Sequence, residues 1–303
     1  MERKGELGRL ITAMVTPFDE NGAIDYEQAK KLACALINSG SDGIVVVGTT
    51  GEAPTVTWEE EHRLFREIKS VVGNNGSVIA GTGSNSTEEA RENTILAQEW
   101  GVDACLLVAP YYNKPTQEGL YLHFKTIAES TSLPCIIYNV PARTSISISA
   151  DTIIRLAEIK NIVGLKEASS DMEQTARVIH GVGKFRDNFM VWSGNDSDTL
   201  PMLSLGAYGI VSVASHLVGK QIKTMIESFA SGDTSHAAMI HRDLMPLFKS
   251  LFIVSNPIPI KYALNHVGFR VGGLRLPLTE ADEKTAVVLR DTLKHYHIDL
   301  PLS

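Results

Sequence analysis

The sequence predicts an α/β fold: a (β/α)8 TIM barrel with a small all-helical domain after it. Three observations carry the prediction. Short apolar runs alternate with amphipathic helical segments, and there are eight of them. Each run is continuously apolar and rich in Val and Ile, the signature of parallel strands covered on both faces rather than of half-exposed ones. The chain has 303 residues, enough for the ~250 of such a barrel plus an appendage. A doubly wound open sheet is the runner-up, and the count of eight disfavours it.

The runs are 10–18 (LITAMVTPF), 43–52 (GIVVVGTTGE), 77–83 (SVIAGTG), 104–112 (ACLLVAPYY), 134–141 (PCIIYNVP), 162–168 (IVGLKEA), 189–196 (FMVWSGND) and 209–213 (GIVSV). Segments such as DYEQAKKLACALINSG and STEEARENTILAQEW lie between them, with apolar residues at i, i+3 and i+4. From about Leu217 the chain reads as helix throughout, broken at Gly232, at Pro257/Pro259 and in the GFRVGGLRLPLT loop. The expected division is a barrel over 1–229 and a helical domain over 230–303.

Composition narrows the function classes. Hydrophobic residues are 44% and charged residues 21%, ordinary for a soluble globular chain. A net charge of −7 argues against a general nucleic-acid binder or a binder of acidic membranes. No apolar run reaches the ~18 residues of a spanning helix, and the charged start MERKGELGRL lacks a signal-peptide core. Cys34, Cys105 and Cys135 form no metal-like spacing, and an odd, sparse set suits a reducing cytoplasm.

In a (β/α)8 barrel the chemistry sits where the strands end, so the residues ending each run are the informative ones. The second run ends in Gly48-Thr49-Thr50-Gly51-Glu52 and the fourth in Tyr111-Tyr112-Asn113. The fifth ends in Tyr138-Asn139-Val140-Pro141 with Arg143 beyond, the sixth in Lys166-Glu167, the seventh in Ser193-Gly194-Asn195-Asp196. Taken singly, each has a bland reading: a solvated lysine, a core-edge phenol, loop or N-cap threonines, a surface arginine. Taken together at one mouth they suit carbonyl chemistry. An apolar strand depresses a lysine pKa, a neutral amine attacks a ketone, and a phenol such as Tyr138 shuttles protons. Backbone N–H groups at Thr49-Thr50-Gly51 suit a carboxylate. Glu167 is expected to pair with a neighbouring strand-end cation.

Two other readings are weak. His62, His123, His180, His216, His236, His241 and His266 are scattered on helical patterns with no metal-ligand spacing, so no metal is expected. GTGSNS (81–86) resembles a dinucleotide fingerprint, but Ser86 stands where the third glycine belongs and no acidic partner follows.

With those residues in hand, the chain resembles the dihydrodipicolinate synthase / N-acetylneuraminate lyase family of class I aldolases. The resemblance runs from ITAMVTPF through GTTGE, GTGSNST, APYYNKPTQEGLYLHF, YNVPAR and GLKEAS to SGND and NPIPIKYALNHVG, covering nearly all of the chain. It implies a Schiff-base lysine at Lys166, a proton-transferring tyrosine at Tyr138, and a relay of Thr49 and Tyr112, the last from a neighbouring subunit. It implies substrate contacts at Thr50, Arg143, Gly194 and Val211, and no cofactor beyond a covalent imine with pyruvate. Arg143 points to the branch that condenses pyruvate with aspartate semialdehyde on the diaminopimelate route to lysine. Other aldolases of the family (neuraminate, keto-deoxy-sugar or hydroxy-oxoglutarate) are the alternative, and a keto-acid sensor without turnover a third. The resemblance further implies a homotetramer, a dimer of dimers. It also implies an L-lysine effector site at Asn85, Glu89 and Tyr111, with Trp58 and Glu61 where the family's best-known pattern has histidines.

Overall fold

The computed structural model describes residues 7–301. Its elements run β1 (Leu10–Ala13), α1 (Tyr26–Asn38), β2 (Gly43–Val46), α2 (Trp58–Val72), β3 (Ser77–Gly81), α3 (Thr87–Glu99), β4 (Ala104–Val108) and α4 (Gln117–Glu129). Then come β5 (Cys135–Asn139), α5 (Pro141–Thr144), α6 (Ala150–Leu156), β6 (Ile162–Glu167), α7 (Met172–Val182), β7 (Met190–Ser193), α8 (Thr199–Ser204) and β8 (Gly209–Ser212). The chain continues in α9 (Ser215–Ala230), α10 (Thr234–Ser250), α11 (Ile258–His266) and α12 (Glu283–Leu293). Short 3-10 turns cover Ala53–Thr55 and Asp196–Asp198. Among the described residues the eight strands form one closed barrel in the order β1 to β8. Each strand falls within one of the eight runs; β5 and β6 include the polar residues Tyr138, Asn139, Lys166 and Glu167, whereas the polar ends of the second and fourth runs lie in the loops that follow.

The chain divides into two compact units, one formed by the residues up to Val78 with those from Ser212 onward, the other by Ile79–Val211. In the first, Leu32 and Leu36 of α1 and Leu64, Phe65 and Ile68 of α2 are fully buried, as are Ile11 of β1 and Ile44 of β2. In the second, Phe124 of α4 and Trp192 of β7 are the bulkiest fully buried aromatics. Each such side chain contributes ~1.5–3 kcal/mol of burial. The division expected between 229 and 230 falls in the last turn of α9.

Local chemistry sets where helices start. Asp25, Ser86, Thr116, Ser149, Asp171, Asp233 and Asp282 each accept a backbone N–H three residues on, and Thr57 with Glu60 completes a reciprocal capping box on α2. Ser86, the residue that spoils the dinucleotide fingerprint, is the cap of α3. The Pro257/Pro259 break is the beginning of α11, where a missing N–H costs nothing. Cys34, Cys105 and Cys135 are free, and burial pushes the Cys105 thiol up to about 12.

His216 opens α9 and is fully buried. Its Nε2 accepts the Val15 N–H at 3.2 Å while Nδ1–H donates to the Val213 carbonyl at 2.8 Å, which fixes the neutral tautomer. Burial holds its pKa at about 4, against 6.5 for the free imidazole. Between those two values the unfolded chain binds a proton that the folded chain refuses, so stability falls as pH drops from 6.5 towards 4. At ~1.4 kcal/mol per unit the loss is about 3 kcal/mol, complete near the folded pKa. Denaturant midpoints measured across this range should show that slope, reduced in His216→Asn; an unchanged slope in the variant would refute it.

Candidate active site

Lys166 is the fifth residue of β6 and stands in register with Tyr138 of β5 and Trp192 of β7. Register partners on parallel strands project to the same face, so the amine and the phenol ring are forced together. Lys166 Nζ lies 4.1 Å from the Tyr138 ring centroid. Two residues earlier, Gly164 lets β7 close on β6: a Cβ there would sit 2.3 Å from the Met190 carbonyl oxygen and 2.6 Å from the Trp192 ring.

Lys166 retains 5% of its exposure and Tyr138 6%. Desolvation pulls the lysine down from its ordinary 10.5 to about 7, Asp196 opposing and Arg143 assisting. The amine is therefore partly neutral at neutral pH, the form that attacks a carbonyl. Asp196 is itself buried, in the 3-10 turn after β7. In the sequence Asp196 is marked only by its place just beyond Gly194, one strand over from Lys166.

Glu167 points to the opposite face of β6. For Glu167 the expected pairing with a strand-end cation is not found among the described residues. Its buried carboxylate accepts Asn139 Nδ2 at 3.0 Å on each oxygen, Gln174 Nε2 at 3.0 Å and the Ser169 N–H at 2.8 Å. Asn139 in turn accepts the Ile148 N–H at 3.0 Å. Neutral donors therefore replace the charge partner and tie together the ends of β5 and β6.

The other predicted residues of this unit fall nearby in sequence but differ in setting. Gly194 donates its N–H to the Glu167 carbonyl at 2.7 Å, and a Cβ there would meet Ala168 at 2.6 Å, so only glycine fits. Val211 is fully buried in β8. Arg143 is exposed on the four-residue α5, which Ser145 ends in a left-handed conformation. After β4, Tyr112 is 91% exposed with φ 75°, a strained setting for a residue with a side chain. Tyr111 joins Asn85, whose Nδ2 donates to the Tyr111 carbonyl at 3.2 Å, and Glu89 accepts Ser84 Oγ at 2.6 Å.

In the first unit, Thr49 and Thr50 follow β2 in a tight turn, the Gly51 N–H donating to the Gly48 carbonyl at 3.0 Å and the Glu52 N–H to that of Thr49 at 3.2 Å. Val47 and Glu52, which bracket it, have φ of 56° and 58°. Thr50 is buried and accepts Asn256 Nδ2 at 2.8 Å. Trp58 opens α2, edge-on to His62, and Glu61 is buried one turn along. No group of three or more His, Cys, Asp or Glu among the described residues could hold a metal ion, and no helix among them is long and apolar enough to cross a membrane.

Residues 6–296 match the Dihydrodipicolinate synthetase family. A 4-hydroxy-tetrahydrodipicolinate synthase of Dehalococcoides mccartyi is 70% identical over 297 residues, 98% of this chain and 99% of that one. The crystal structure of a dihydrodipicolinate synthase from Bacillus anthracis superposes with a TM-score of 0.93 at 49% identity, covering 95% of this chain and 98% of that one. One from Cyanidioschyzon merolae, with lysine bound, gives the same TM-score, identity and coverage, 0.93, 49%, 95% and 98%.

The opposed effects on Lys166 make a test. Reductive trapping of a small ketone by the amine should rise with pH through about 7 and level off above it. Removing the charge of Asp196 as Asp196→Asn should move that rise to lower pH by roughly one unit. An unmoved limb would show that Asp196 does not hold the ammonium.

Proposed function

Because the chain belongs to the dihydrodipicolinate synthetase family, we propose that its lyase activity, that of a 4-hydroxy-tetrahydrodipicolinate synthase, runs through an imine between Lys166 and pyruvate. The observation that carries this is a buried lysine held at about 7 with its Nζ 4.1 Å from the Tyr138 ring centroid.

Neutral Lys166 attacks C2 of pyruvate, whose carboxylate rests on the amides of Thr49 and Thr50. Tyr138, in a relay with Thr49 and Tyr112, protonates the departing hydroxyl, and water leaves. Asp196 stabilises the iminium charge so formed. Tyr138 then takes a proton from the methyl group to give the enamine. The enamine carbon attacks the aldehyde of L-aspartate 4-semialdehyde, whose carboxylate Arg143 holds. The amine of that substrate closes on C2 and expels Lys166, giving the cyclic product on the diaminopimelate route. Gly194 and Val211 line the pyruvate pocket. The imine with substrate takes the place of a cofactor.

The exposure of Tyr112 supports its donation to a neighbouring subunit in a homotetramer, since a lone subunit leaves a large ring in water. Free cysteines support a reducing, cytoplasmic setting. An L-lysine effector is supported by the lysine-bound relative and by Asn85, Glu89 and Tyr111. Glu61 suits the ammonium and Trp58 the aliphatic stem.

Pyruvate with borohydride should leave a reduced adduct on Lys166 detectable by mass spectrometry, abolished in Lys166→Ala; no adduct in the wild-type chain would overturn the reading. Arg143→Ala should raise KM for the semialdehyde at least tenfold while pyruvate trapping persists. Millimolar L-lysine should inhibit turnover, and Glu61→Gln should weaken that inhibition; full activity under lysine would remove the effector site.

A further inference from the structure

The turn that carries Thr49 and Thr50 is strained at both ends. Left-handed conformations at Val47 and Glu52 cost of order 1–3 kcal/mol each and persist only where the surroundings over-determine them. What over-determines this turn comes from the far end of the chain. Lys261, in α11, is fully buried and places Nζ 2.6 Å from Glu52 Oε1 and 2.6 Å from the Gly273 carbonyl oxygen. The same ammonium lies 4.1 Å from the Phe18 ring centroid. The second carboxylate oxygen of Glu52 accepts the Arg275 backbone N–H at 3.1 Å. The Arg275 guanidinium is anchored on Glu60 by contacts of 2.7 and 2.6 Å and donates to the carbonyls of Thr55 and Gly22. Just ahead of α11, Asn256 supplies the second hold, on Thr50 Oγ1 at 2.8 Å. Thr16 Oγ1, in the loop after β1, donates to the Gly51 carbonyl at 2.6 Å and closes the turn from that side.

A buried ion pair is a poor way to gain stability, because desolvating both charges offsets most of their attraction. Its rigid, directional hold is what it supplies here. We propose that Lys261, acting through Glu52, is a positioning residue for the keto-acid carboxylate. It fixes the Thr49–Thr50 turn so that the amide N–H groups are aimed before substrate arrives, with Asn256 as the second point of the clamp. The proposal rests on the reading that those amides receive the carboxylate of pyruvate.

Two ketones separate this role from a general structural one. Pyruvate needs both the amine of Lys166 and the carboxylate site; acetone, which has no carboxylate, needs the amine alone. Borohydride trapping on Lys166, followed by mass spectrometry, measures half-saturation for each. Glu52→Gln/Lys261→Met removes both charges together, so no uncompensated ion stays buried, and Asn256→Ala tests the second contact independently. We expect half-saturating pyruvate to rise about tenfold or more in the double variant and less in Asn256→Ala, with acetone trapping within twofold of wild type in both. Unchanged pyruvate half-saturation in the double variant overturns the proposal. A parallel loss for both ketones overturns it too, since the pair would then act on the fold or on Lys166. Should the double variant fail to fold, Asn256→Ala decides: pyruvate weakened and acetone spared supports the clamp, and no difference overturns it. Absence of any adduct in the wild-type chain overturns the imine reading itself, a result distinct from wild-type trapping with unaffected variants.

Discussion

Desolvation of one amine is the constraint around which the second unit is arranged. Lys166 sits between two strands in register, under the ring of Tyr138 and beside a β7 that approaches closely because residue 164 has no side chain. Burial drives the lysine pKa down from 10.5; full burial shifts such groups by as much as ~3–5 units. The buried carboxylate of Asp196 limits the fall, so that the pKa comes to rest at about 7. Too much water would keep the amine charged and unreactive. On the proposed mechanism, too little countercharge would leave the later cationic iminium unsupported.

The pleat of the strands divides labour between the two faces of β5 and β6. Tyr138 and Lys166 share one face, and one step further along, Asn139 and Glu167 share the other. The second pair ties the neighbouring strand ends together with amide-to-carboxylate hydrogen bonds that stay within the protein. The turn after β2 is likewise restrained from outside itself, by Lys261 of α11 and by the Arg275 backbone.

The barrel was legible because parallel strands, covered on both faces, are written as uninterrupted apolar runs, and because Asp, Ser or Thr announces the start of most helices. Strand-end position identified Lys166 and Tyr138, and the structure brings these two together. Where a partner lies far off in sequence, single residues gave no signal. Nothing in GTTGE says that its glutamate meets a lysine in α11, and nothing in GLKEAS says that Glu167 is satisfied by amides instead of a cation. Asp196 stood in the right place but carried no mark of its electrical role, which depends on how deeply both groups are buried. Tyr112 shows the reverse case, a residue named for its company across an interface and exposed to solvent in a single chain.

Arg143 is exposed on the four-residue α5, whereas Lys166 and Tyr138 are built into the sheet. On the proposed roles, the group that chooses the aldehyde and the groups that make the carbon–carbon bond are held by different kinds of structure. Mutation can reach the first without disturbing the packing on which the second relies. Such a scaffold is free to drift in substrate preference over evolutionary time while its reaction stays fixed, so descendants of one ancestor can diverge in what they join and not in how they join it.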